Sequence, residues 1–105
     1  MTDESIRTCP VAQTAQIVGQ RWVALIMRDL LLQGPRRFQD FQRSLSGIPP
    51  QTLSERLKML EAAGIVARQP YSEHPPRAEY VLTAKGRDLG PVIRAMRDWG
   101  LTHGG

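Results

Sequence analysis

A chain of 105 residues with 41% hydrophobic content can build one modest core, which excludes a multidomain reading. Its net charge of +4 comes from arginine, twelve residues against Lys58 and Lys85, and favours a polyanionic partner, although GC-rich coding also yields arginine-rich chains. A single cysteine, Cys9, excludes an internal disulfide, His74 and His103 are too isolated to suggest a metal, and no apolar run is long enough to cross a bilayer.

No metal or cofactor is expected. The start, Met1 to Ser5, is acidic and polar, unlike a signal peptide, so a cytoplasmic protein with no membrane partner is expected. Residues 1–8 are expected to be a flexible lead-in, 9–101 one domain, and 102–105 a flexible tail.

Cys9-Pro10 opens the first predicted helix, since proline at the first helical position gives up an amide that has no partner anyway. Val11, Ala15 and Val18 keep helical spacing and Gly19 ends it. A second helix spans about 20–32. Trp22, Leu25, Ile26 and Leu30, with Asp29 on the flank, form one stripe, and Val23, Met27 and Leu31 a second. Apolar residues on two sides predict a central position in the domain. Gly34-Pro35 stops this helix. Arg36-Arg37-Phe38 reads as a short strand, and residues 38–45 as a short helix with Phe38, Phe41 and Leu45 on one face.

After the turn Ser46-Gly47-Ile48-Pro49, residues 50–63 give the clearest helix in the chain. Leu53, Leu57 and Leu60 fall within about 60° of arc. Gln51, Ser54, Glu55 and Lys58 lie opposite, and Gly64 suits the C′ position. Residues 65–71 and 78–82 read as two strands of a hairpin, with a proline-rich tip at 72–77 that carries Arg77. Thr83 is the expected N-cap of a last helix. Leu89, Val92, Ile93, Met96 and Trp99 repeat along it as one stripe, and Pro91 predicts a kink or slack turn within 86–91.

Two helices joined by a glycine-containing turn, followed by a hairpin, give a winged helix-turn-helix, mainly α with a small β-hairpin. In such a unit the second helix, here 50–63, enters the major groove of double-stranded DNA. Gln51, Thr52, Ser54, Glu55 and Lys58 are the candidate base-reading residues, glutamine suiting an adenine edge and lysine a guanine or phosphate. Arg36, Arg37 and Arg56 are candidates for backbone phosphates, and Arg77 for a phosphate or a minor groove. For each of these side chains, solvated surface is the alternative. Leu89, Val92, Ile93, Met96 and Trp99 make a stripe too large for so small a domain to cover alone, which points to a homodimer, although the stripe can also pack on its own core.

Read together, Cys9-Pro10-Val11, Gly19-Gln20-Arg21-Trp22, residues 25–30, Gly34 to Phe38, residues 53–61 and Pro75 to Gly86 resemble the HxlR-type winged-helix regulators, a bacterial group related to the MarR regulators. The resemblance spans residues 9–100. It implies a homodimer on a pseudo-palindromic operator, paired through the first and last helices, here 9–18 and 83–101. Family members often carry serine or threonine before the reading helix. Ile48-Pro49-Pro50 departs from this, and the start of the helix stays open by one residue.

Several regulators that resemble this chain use a cysteine at the place of Cys9 to sense oxidants or electrophiles, which implies an oxidant or small-molecule effector. The helix dipole at that position favours a thiolate, and Arg7 and Arg21 are candidate sources of added positive field. A buried, inert cysteine that packs the first helix is the alternative. A winged-helix module that binds protein without DNA is the second functional reading. No nucleophile–base pair, carboxylate pair or phosphate loop points to an enzyme.

Overall fold

The computed structural model describes residues 8–104. The expected flexible lead-in therefore lies outside the described residues except for Thr8. Helix α1 (Pro10–Val18) starts on the extended Cys9 and buries none of its residues fully. Only Ile17 and Val18 pack against the core. Helix α2 (Arg21–Gln33) runs through the middle of the domain. Its buried stripe is Val23, Ile26, Met27 and Leu30, an i, i+3, i+4, i+7 spacing. The two stripes expected from sequence are thus redistributed. Trp22 and Leu25 are only partly buried, and Val23 and Met27 join Ile26 and Leu30 on the core face.

The strand expected at 36–38 shrinks to one antiparallel bridge, Arg36 to Tyr80. Helix α3 (Phe38–Ser44) begins immediately after it, because Asp40 Oδ2 accepts a hydrogen bond from the Arg37 amide at 2.9 Å and caps the first turn. Phe41 and Leu45 are buried, and Phe38 packs against them from the edge.

Helix α4 (Pro50–Ala62) starts at Pro50, with Pro49 extended as the N-cap residue and no side-chain cap. That fixes the boundary the sequence left open. Leu53, Leu57 and Leu60 are at most 1% exposed. The helix ends in a Schellman motif. Gly64 sits at φ +75°, its amide reaches Glu61 O at 3.0 Å, and the Ile65 amide reaches Leu60 O at 2.9 Å.

Strands β1 (Val66–Glu73) and β2 (Pro76–Leu82) pair antiparallel from Val66–Leu82 out to Glu73–Pro76, with an irregularity between Pro70 and Ser72. The expected six-residue tip is therefore only His74-Pro75, and Arg77 sits on β2 opposite Ser72. A two-stranded ladder has two open edges, so Pro70 and Pro76 fit without breaking it. Arg36 adds its single bridge on the outer side of β2.

The last predicted helix is two. Helix α5 (Ala84–Arg87) is capped by Thr83, whose Oγ1 accepts from the Gly86 amide at 3.0 Å. Helix α6 (Gly90–His103) begins after a break at Asp88-Leu89. Pro91 lies in its first turn, so the proline opens a new helix and does not kink an old one. Helix α6 continues two residues past the expected end at 101.

Two side chains lock the end of α4 to the start of α5. The Thr83 hydroxyl donates to the Gly64 carbonyl at 2.6 Å, and the Lys85 ammonium donates to the Ala63 carbonyl at 2.7 Å. One core joins α2, α3, α4, the base of the hairpin and Ile93 of α6. The Cα radius of gyration is 14.9 Å, above the ~13 Å of a compact chain this long, in keeping with a hairpin and terminal helices that project from that core.

Candidate nucleic-acid interface

Helices α3 and α4 form the helix-turn-helix. Their turn is pinned by Ile48, 7% exposed, and reverses at Gly47 with φ +89°. With its three leucines inward, α4 turns Gln51, Glu55 and Lys58 to solvent as one polar face. The Gln51 amide donates to Glu55 Oε1 at 3.2 Å, one turn away, and Lys58 has no ion pair or hydrogen bond among the described residues. Thr52 and Ser54 flank this face and are half-buried. Arg56 is half-buried as well, and its buried Nε has no hydrogen-bond partner.

The arginines ahead of α3 divide. Arg36 turns inward: its Nη2 lies 3.6 Å from Asp29 Oδ2 and donates to the Asp40 carbonyl at 3.3 Å. Its backbone meanwhile exchanges hydrogen bonds with Tyr80 at 3.0 and 2.7 Å. Asp29 is 4% exposed and also binds Arg28 at 3.1 Å. Arg36 thus fastens α2 to the base of the hairpin. Arg37 faces outward, and its guanidinium pairs with Asp40 at 3.3 Å.

Arg43, which the sequence reading passed over, pairs with the same carboxylate at 2.6 Å and remains 69% exposed. The i, i+3 spacing of Asp40 and Arg43 was the available signal. The hydrogen bond from the Arg37 amide, aided by the Arg37 and Arg43 side chains, holds the Asp40 carboxyl far below the usual carboxylate range despite partial burial. Asp40 and the nearby Tyr71 hydroxyl raise the Arg37 guanidinium in turn. Arg77 and Arg68 are exposed on the hairpin; Arg68 was likewise passed over.

The expected dimer stripe does not stay together. Ile93 is 9% exposed and belongs to the core, where Leu89 packs beside it. Val92 is half-buried, whereas Met96 and Trp99 are 46% and 67% exposed. Leu101 and, on α1, Val11 are more exposed still.

Cys9 is a free, half-buried thiol. The Arg21 guanidinium stacks on the Trp22 ring at 4.7 Å, and Arg7 lies outside the described residues. Among the described residues no helix is long and apolar enough to cross a membrane.

Known proteins share this arrangement. The chain is 36% identical over 99 residues to YdeP of Bacillus subtilis, an uncharacterised HTH-type transcriptional regulator, covering 94% of this chain and 77% of that one. It is 47% identical over 90 residues to Mb3122 of Mycobacterium bovis, which bears the same description. That match covers 86% of this chain but only 56% of the longer relative. The solved structure of the redox regulator HypR in its oxidised form superposes with a TM-score of 0.84 at 37% identity, over 90% of this chain and 97% of that one. The model of the HxlR-like helix-turn-helix matches residues 17–105, which excludes Cys9 and takes in every element from the end of α1 onward. With its helix-turn-helix, hairpin and last helix all inside that match, the chain belongs to the HxlR-like helix-turn-helix family of transcriptional regulators.

Proposed function

We propose that the protein binds double-stranded DNA sequence-specifically, as a homodimer on a pseudo-palindromic operator, and regulates transcription there. The observation that carries this reading is the solvent face of α4: Gln51, Glu55 and Lys58 project together from a helix whose other face is wholly buried. Thr52 and Ser54 take the edges of that face and Arg56 its flank. Of the candidate arginines, Arg77 is exposed with no ion pair among the described residues and Arg37 is outward-facing though paired with Asp40, and these two are the candidates for backbone phosphates, since Arg36 is turned inward to Asp29. The exposed apolar residues lie on α6 and α1, including Met96, Trp99, Leu101 and Val11, and these support pairing through the terminal helices. The polar face of α4 favours DNA over a protein partner, because a protein-binding surface is enriched in exposed aromatic and apolar anchors.

The test is selection of bound duplexes followed by fluorescence anisotropy on the winning site. Affinity is expected to fall steeply with salt, by about one counterion per neutralised phosphate. Gln51→Ala is expected to cost about 1–3 kcal/mol at one base position and nothing at the others. Salt-insensitive binding, or a uniform loss across sequences, rejects the assignment.

Kinship with a redox regulator, together with a thiol at the start of α1, supports an oxidant response through Cys9. With one cysteine per chain, the oxidised product is an intersubunit disulfide or a mixed disulfide with a small thiol. Cys9→Ser is expected to bind the operator as wild type does and to lose release by diamide. A variant that still responds to diamide ends this reading.

A further inference from the structure

The polar face of α4 carries one hydrogen bond between two of its own side chains, and the direction of that bond matters. Gln51 is the second residue of the helix and Glu55 stands one turn on, both exposed. Gln51 Nε2 donates to Glu55 Oε1 at 3.2 Å. Lys58 lies at i+3 from Glu55, a spacing that suits an ion pair, yet forms none, and the carboxylate instead turns back to the amide. No side chain caps the start of α4, so Gln51 has no part in closing the helix end.

A glutamine amide has two N–H donors and one carbonyl acceptor. Turned end for end about its last torsion, it presents them in the opposite order, and a lone exposed glutamine takes both arrangements. An ionised carboxylate accepts and cannot donate. It therefore selects the arrangement with nitrogen toward Glu55 and disfavours the one that sets two oxygens against each other. One N–H is then committed, and the other N–H and the carbonyl oxygen stay open. A donor beside an acceptor complements the N7 acceptor and N6 amino donor of adenine. Guanine offers two acceptors on the same edge and matches only half of that pair.

We propose that Glu55 is a positioning residue for Gln51: it fixes the orientation of the amide and so restricts the base read at that position to adenine. This assignment rests on the DNA-binding reading above. It moves Glu55 from candidate base reader to the support of one, and leaves Lys58 for a guanine edge or a phosphate. Direct acceptance from a cytosine amino group is the competing use of the same carboxylate. The two uses separate in a double variant, because positioning acts only through Gln51.

The full chain and its variants are tested on the duplex won by selection from a random-core library. Each position is then changed to the other base pairs, and binding is read by fluorescence anisotropy. The position that loses its preference in Gln51→Ala is expected to be an adenine on one strand, preferred about tenfold or more by the wild type. Glu55→Ala is expected to cut that preference about fivefold, by freeing the amide to rotate. Binding to unrelated duplex is expected to stay equal or tighten in that variant, because a negative charge leaves a face that meets phosphate. Glu55→Gln is expected to cut the preference at least about twofold, since an amide at that place can accept from or donate to Gln51 and selects neither arrangement. In a Gln51→Ala background, Glu55→Ala is expected to change the preference at no position. A base other than adenine at the Gln51 position, an adenine preference untouched by Glu55→Ala or Glu55→Gln, or a loss of equal size with and without Gln51 overturns the assignment while the DNA-binding reading stands. A library from which no sequence is enriched overturns both.

Discussion

Helices α4 and α6 are similar in length and each carries an apolar stripe at helical spacing, yet they end in opposite circumstances. In α4 the stripe is sealed, with Leu53, Leu57 and Leu60 at most 1% exposed. In α6 it opens along its length, from Ile93 at 9% exposed to Trp99 at 67%. Packing against α2, α3 and β1 makes the difference for α4, because neighbours surround it. Helix α6 meets the core only near its first turns and then runs past it. Periodicity therefore announces that a face is meant for contact, and leaves open what provides the contact.

Substitution at one residue on each helix tests this contrast. Leu57→Ala is expected to have the largest effect, a loss of about 2–5 kcal/mol of folding stability, read from urea unfolding. Trp99→Ala is expected to leave the far-ultraviolet circular dichroism of the isolated chain intact and to weaken self-association about 30-fold or more, read by analytical ultracentrifugation. Were Trp99→Ala to unfold the chain as Leu57→Ala does, the contrast between the helices would collapse.

The smallest of the three effects concerns the cap of α3. Asp40→Asn is expected to cost about 0.5–2 kcal/mol at neutral pH. The folded chain holds this carboxyl below its ordinary value. Its contribution is thus complete above about pH 4, where the unfolded chain ionises, and is lost as the pH falls further. Thermal melts of wild type and variant are expected to differ at pH 7 and to converge toward pH 2.

Most of the fold was legible in the sequence because its punctuation is local. Pro10, Gly34-Pro35, Gly64 and Thr83 each mark a boundary through their own backbone chemistry, and the structure uses them as such. Helix α4 was legible from three leucines. The extent of the hairpin was not, since Ser72, Glu73 and Pro76 are weak strand formers that pair only because the ladder behind them sets the register. The inward turn of Arg36 was equally hidden. It depends on Asp29, seven residues back on α2, and on the bridge to Tyr80 that draws the two stretches of chain together. Charge in a sequence does not say which guanidinium already has a carboxylate.

The lock between α4 and α5 has a mechanical consequence. Thr83 and Lys85 hold the Gly64 and Ala63 carbonyls, so the end of α4, the base of the hairpin and α5 move as one rigid body. Regular helix is interrupted after α5 at Asp88-Leu89, before α6 starts. Any signal that passes along the chain between the last helix and the reading helix must cross that interruption.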